Sequence, residues 1–251
     1  LGMRVHGLAD KVERVPEPEA RPDLLARVHA AGKHETTAAE KTLFEAIPGR
    51  HTYRFPFEMR NVPGSVIDDL RSACEAEGAR FHIVADEQRQ PMAQLVMEGD
   101  RRQGADKRFR RELASWLHNN RTHSHDGIPG YAMGASEWAS YVTPFVVRTF
   151  DWGTAQAIDD RKLMEGSPVL AVIATEHDAT RSWLHAGEAL ARVLLRAQQE
   201  GMSASYLNQP IEVEDLRPKV ANLLGISGSP QLLLRIGYGQ TERSTPRRAA
   251  A

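Results

Sequence analysis

Apolar residues recur at helical spacing in several separated stretches of the chain, and two unbroken apolar runs lie between them. A helix is predicted over 37–47, where Thr37 and Glu40 form a capping box and Leu43, Phe44 and Ile47 share one face before Pro48-Gly49 stops it. A second is predicted over 65–77 on Val66, Ile67, Leu70 and Ala73, ended by Gly78. A strand over 80–84 follows. Two helices come next, over 87–103 (Met92, Leu95, Val96) and 106–119 (Phe109, Leu113, Trp116, Leu117). The run over 169–174 after Pro168 has the pattern of a strand buried on both faces. The longest helix, over 179–200, points Trp183, Leu184, Ala186, Leu190, Val193 and Leu194 inward and ends at Gly201. A short helix over 213–224 precedes the second run, Leu232-Leu233-Leu234-Arg235-Ile236, bounded by glycines. Residues 120–150 show no period and read as an irregular loop, a lid candidate rich in glycine and aromatics. Residues 1–35 are charged and Pro-containing, and read as a linker or the remnant of a preceding unit. Alternating strands and helices alone predict a parallel sheet.

Composition narrows the class without naming a function. The 251 residues are 41% hydrophobic and 26% charged, ordinary for a globular domain. A net charge of -1 supplies no field that would draw the chain to nucleic acid or to a membrane surface. No apolar run approaches the roughly 20 residues of a membrane-spanning helix, and no signal-peptide pattern opens the chain. The single cysteine, Cys74, excludes an internal disulfide; it is expected to face the core, and the expected location is the cytoplasm.

Candidate chemistry gathers at two basic clusters. Arg50-His51-Thr52-Tyr53-Arg54 follows the helix stop at Pro48-Gly49, and Thr245-Pro246-Arg247-Arg248 follows the last strand. Arginine forks and a short hydroxyl suit phosphate oxygens, although each cluster alone also reads as a solvated basic loop. His123, His125 and Asp126 match no standard zinc spacing. No Gly-x-Gly-x-x-Gly, Walker loop or Gly-x-Ser-x-Gly elbow occurs.

The first cluster resembles the Arg-His/Arg-Ser/Thr-x-Lys/Arg signature that opens the FMN site of the nitroreductase superfamily. Gly201-Met202-Ser203-Ala204-Ser205 resembles that family's small-residue turn after its central helix, and Pro246-Arg247-Arg248 its terminal phosphate segment. Leu207-Asn208-Gln209-Pro210-Ile211-Glu212 and the stretch from Pro230 to Gly239 resemble the Acg subgroup. The resemblance spans roughly residues 35–248. It implies an α+β fold, a mixed, mostly antiparallel sheet flanked by helices in an α/β/α sandwich, over 36–251. It also implies a longer chain with a second, degenerate copy upstream. FMN is the implied cofactor. Arg50, His51, Thr52, Arg247 and Arg248 fall at its phosphate, Arg54 at its electron-rich N1–C2=O edge, and the backbone N–H groups of Asn208 and Gln209 near N5. The implied partners are NAD(P)H, a small-molecule acceptor such as a nitroaromatic or quinone, and a second subunit in a homodimer. No side-chain general base is required. Two functions stay open: an FMN oxidoreductase, and a protein that sequesters flavin with little turnover.

Overall fold

A computed structural model describes residues 1–240 and 245. In chain order the elements are α1 (Gly2–Val5), β1 (Leu8–Arg14), β2 (Ala26–Lys33), α2 (Ala38–Glu45), α3 (Gly64–Glu75), β3 (Arg80–Ile83), α4 (Asp86–Ala105), α5 (Lys107–Trp116), β4 (Leu117–His118), β5 (Ile128–Pro129), a 3-10 turn (Gly130–Met133), α6 (Glu137–Thr149), α7 (Gly153–Glu165), β6 (Val169–Thr175), α8 (Thr180–Gln199), β7 (Ser203–Tyr206), α9 (Gln209–Glu212), α10 (Arg217–Leu224) and β8 (Ser229–Gly237).

Every residue of β6 is buried, as a continuous apolar run requires of a central strand. Its side chains alternate between two cores. Val169, Ala171 and Ile173 meet Leu70 and Cys74 of α3 and Ala186, Ala189 and Val193 of α8. Leu170, Val172 and Ala174 meet Met92 and Val96 of α4, Met164 of α7, Ile211 of α9 and Val220 of α10. The sheet is therefore the middle of three layers, and the chain has the α+β sandwich that the resemblance implied.

The strand order is β3-β6-β8-β7 and every pairing in this sheet is antiparallel. The parallel sheet expected from periodicity alone does not form. One helix, α8, separates β6 from β7, and these two strands run in the same sense but are held apart by β8. Two helices separate β7 from β8, and four separate β3 from β6. Each even number of helices returns the chain in the opposite sense.

Several local expectations are corrected. Residues 8–33, read as part of a linker or the remnant of a preceding unit, form an antiparallel hairpin, tied to α8 by Arg14–Glu188 at 2.9 Å, so they are not an irregular linker. Within 120–150, read as irregular, lie the 3-10 turn and α6. Ser136 Oγ accepts from the Ala139 N–H to cap α6, and the helix runs through Pro144. Pro144 and the β-branched Val142, Thr143, Val146 and Val147 are poor helix formers, so the segment's own propensity argues against the helix it adopts. Trp183 lies half-exposed rather than inward and donates Nε1–H to Asp178 at 2.6 Å. The helix expected over 213–224 begins only at Arg217. The capping box at Thr37 and Glu40 is present, and Cys74 is fully buried, its thiol pushed up to about 12 by burial, which keeps it in the unreactive protonated form.

Candidate functional site

Residues 50–54 follow α2 and pass beside the sheet's β7 edge, and the chain bends at Phe55. Thr52 bridges Ala204 in parallel, and the Tyr53 N–H donates to the Ala204 carbonyl at 3.0 Å. Tyr53 is the anchor: it is buried, stacks on Phe57 at 5.2 Å between ring centroids, and meets the edge of Phe55 at 5.7 Å. Two glycines make that packing possible. A Cβ on Gly239 would sit 2.8 Å from the Tyr53 ring, and one on Gly237 2.8 Å from the Phe57 ring.

This segment forms one wall of a cavity of about 190 Å³ lined by Arg50, His51, Thr52, Arg54 and Phe55. Gly127, Ile128, Pro129, Tyr131 and Ala132 form the opposite wall, and Thr245 closes one side. Gly127 adopts φ +72°, and a Cβ there would meet the His118 ring at 2.4 Å, so the turn into β5 requires glycine.

The cavity is cationic. Burial pulls the Arg54 pKa below its ordinary value, and among the described residues Arg54 has no hydrogen-bond or ion-pair partner. Tyr206 at the end of β7 is raised by burial, against the opposing pull of Arg50 and Arg54. His51 Nδ1 lies 3.1 Å from the Gly49 carbonyl, which fixes that nitrogen as the N–H donor and leaves Nε2 facing inward. Nε2 is buried with no hydrogen-bond partner among the described residues. A half-buried cation with no anion among the described residues is what a bound anionic ligand would satisfy, and Nε2, which donates only when the ring is protonated, would then meet an oxygen of that ligand. The cation, hydroxyl and imidazole together fit a phosphate-bearing group.

The structure thus brings Arg50, His51, Thr52 and Arg54 into one cavity, with Thr245 beside them. Arg247 and Arg248 lie outside the described residues. Asn208 and Gln209 are not part of the cavity wall, and their side chains are spent on the fold. Asn208 Oδ1 accepts from the Leu233 N–H at 2.9 Å. Gln209 Nε2 donates to Asp100 at 2.9 Å and to Asp160 at 2.6 Å.

Sequence reasoning missed the polar residues behind the site. Asp100 and Asp160 are buried in the core, and Arg235 is fully buried in the middle of β8. Burial, then the neighbouring Asp160 charge, pushes Asp100 up to about 7. Burial also raises Asp160, but amide donors from Gln156 and Gln209 and the field of Arg235 oppose the rise. Burial lowers Arg235 to about 10, so it stays charged at neutral pH. The one available signal was a lone arginine inside an otherwise apolar strand.

Among the described residues no helix is long and apolar enough to cross a membrane, and no group of three or more histidine, cysteine or carboxylate side chains is placed to hold a metal.

The sequence pattern of the family described as "Nitroreductase family" matches residues 47–238. The chain is 30% identical over 250 residues to the provisionally named NAD(P)H nitroreductase Rv3131 of Mycobacterium tuberculosis, covering 96% of this chain and 69% of that protein. It is 28% identical over 260 residues to the provisionally named NAD(P)H nitroreductase acg of the same organism, covering 99% and 74%. Among solved structures it is similar to the FMN-dependent nitroreductase NfnB from Mycobacterium smegmatis in complex with NADPH. The TM-score is 0.53 at 13% identity, over 84% of this chain and 96% of that one.

Proposed function

The chain belongs to the nitroreductase family, and from that premise we propose that it binds FMN at the Arg50 cavity and acts as an oxidoreductase between NAD(P)H and a small acceptor, a nitroaromatic, a quinone or a similar compound. The observation that carries this reading is that, among the described residues, Arg54 has no anion and His51 Nε2 no hydrogen-bond partner, in a cavity they share with Arg50 and Thr52. Relatives carrying the NAD(P)H nitroreductase description support the nicotinamide donor.

In this reading Arg50, His51 and Thr52 hold the phosphate, joined by Arg247 and Arg248. Arg54 faces the electron-rich edge of the flavin ring, where a cation stabilises the charge that accumulates on reduction. The backbone N–H groups of Asn208 and Gln209 serve the opposite edge; they follow β7, the strand that Thr52 bridges. When bound, FMN supplies the two-electron chemistry, accepting hydride from NAD(P)H and passing electrons to the acceptor. The protein's own part is to bind, orient and set the potential, and no side-chain base is needed.

A cavity of about 190 Å³ is smaller than the roughly 300–1,000 Å³ usual for cofactor sites, so one chain's described residues leave the site incomplete. Next to it, α6 exposes Trp138 at 80% and Phe145 at 64%, together with Tyr141, and Phe150 follows at its end. An exposed aromatic face of this kind fits a covered interface, and we assign it to a homodimer. The single buried thiol of Cys74 agrees with a cytoplasmic protein.

Flavin retention without turnover is the second reading, favoured by the wall of residues 127–132 that already faces the cationic segment. Anaerobic mixing separates the two. An oxidoreductase loaded with FMN loses its yellow colour within seconds of NADPH addition and regains it with a nitroaromatic or quinone. A store stays yellow. Apoprotein that fails to bind micromolar FMN sinks both.

A further inference from the structure

We propose that Arg235, which lies behind the cavity and not in it, is the positioning residue that aims Arg54 at its ligand; this rests on the FMN reading above. Arg235 is wholly buried in β8, between the sheet's two cores. Its Nη1 donates to the Phe55 carbonyl at 3.0 Å, and its Nη2 to the carbonyls of Tyr53 and Phe55, both at 3.0 Å. These are the two carbonyls that flank Arg54. The carbonyls of Tyr53 and Phe55, on either side of Arg54, both turn toward β8. One planar fork that grips both therefore fixes the course of the chain from Tyr53 to the bend at Phe55 and sets the direction in which the Arg54 side chain leaves it.

The fork is itself fixed. Its guanidinium carbon lies 4.6 Å from the centre of the Phe57 ring, and Phe57 stacks on Tyr53. The acid whose field acts on it is Asp160, which also anchors Gln209 through the 2.6 Å amide bond. A buried polar relay thus joins the segment carrying Arg54 to the segment carrying Asn208 and Gln209, the two edges assigned to the flavin ring. Lysine keeps the charge but cannot grip two carbonyls in one plane. A role as core ion alone predicts that Arg235→Lys changes stability and nothing else.

The test compares the wild-type chain, Arg235→Lys, Arg54→Ala and the double variant. FMN affinity is read by flavin fluorescence, the potential of bound flavin by dye equilibration at saturating FMN, and the fold by circular dichroism. Arg235→Lys is expected to fold, to bind FMN about tenfold more weakly, as expected for losing a charge-assisted hydrogen bond, and to shift the potential in the same direction as Arg54→Ala. In the double variant Arg235→Lys should add almost nothing to Arg54→Ala, because it acts through that residue. An unchanged affinity and potential in folded Arg235→Lys, or effects that add to those of Arg54→Ala, overturn the proposal. Should Arg235→Lys not fold, Arg235→Gln, which keeps a planar donor, is measured the same way. Failure of both to fold also overturns it and leaves Arg235 as a core ion. A wild-type chain that does not bind FMN refutes the functional reading instead, a result separable from all of these.

Discussion

Asp100 carries a testable cost. It is 1% exposed, its Oδ1 accepts from Gln209 Nε2, and its Oδ2 has no partner among the described residues. The charged groups around it are Asp160 and Asp159 of α7 and Arg235 of β8, and the neutral amides are Gln156 and Gln209. Asp160 takes both amides and the arginine's field, so the pair's extra proton is assigned to Asp100. A carboxyl raised from 3.8 to about 7 stands for on the order of 4 kcal/mol, at about 1.4 kcal/mol per pKa unit. Relaxation and water entry in the real core reduce this to roughly 2 kcal/mol. The sign follows from linkage. The folded state holds its proton more tightly than the unfolded state, so the stabilisation is complete below pH 3.8 and is lost as pH rises through about 7. Asp100→Asn mimics the protonated form, with its amide placed where Oδ2 stands. The variant should match wild type near pH 3, below the unfolded pKa, and exceed it at pH 8 by about 2 kcal/mol, or roughly 4–8 °C in Tm for a chain this long. Thermal unfolding of apoprotein at both pH values reads this directly. A difference between Asp100→Asn and wild type that is the same near pH 3 and at pH 8 would refute the assignment.

Other expectations are simpler to check. Riboflavin should bind at least tenfold more weakly than FMN, because Arg50, His51 and Thr52 address the phosphate; equal affinities by fluorescence titration contradict that. Arg54→Ala should lower the reduction potential of flavin that remains bound, and a potential unchanged at saturating FMN removes Arg54 from the ring edge. Gly104→Ala should cost about 2 kcal/mol or more, since its Cβ would meet Gly153 Cα at 2.4 Å where α4 crosses α7; urea unfolding with less than 0.5 kcal/mol lost shows that the crossing yields. Light scattering should give a dimer, and a stable 27.9 kDa monomer with FMN bound disproves the covered-interface reading of α6.

Where one element's own residues decide its structure, the sequence could be read. Helix α2 announces itself through Thr37 and Glu40, whose reciprocal bonds need only four consecutive residues. Strand β6 does so because a strand buried on both faces has no polar position to obscure it. Strand direction was not legible, since it depends on how many helices intervene and how each packs. Helix α6 was hidden by Pro144 and its β-branched neighbours, and its exposed aromatics lack the one-sided pattern of a core helix. The 8–33 hairpin was hidden because β2 is exposed along almost its whole length and shows no apolar alternation.

The candidate site divides along the same line. Arg50, His51, Thr52 and Arg54 were visible together because one short turn carries them all, and the cavity gathers them. Arg235 reaches Tyr53 and Phe55 across some 180 residues of chain, and Asp100, Asp160 and Gln209 come from three separate helices. No local period encodes such pairings. What the chain does display is a chemical misfit: Leu232, Leu233, Leu234 and Ile236 make a buried strand, and Arg235 interrupts it. The ladders of β8 to β6 and β7 use backbone groups only, so an aliphatic side chain at this position would satisfy the sheet at lower desolvation cost. It would leave two buried carbonyls, one on each side of Arg54, without donors. A charge placed there at that cost, with its donors on those two atoms, ties the core's least economical residue to the cation that faces the cavity.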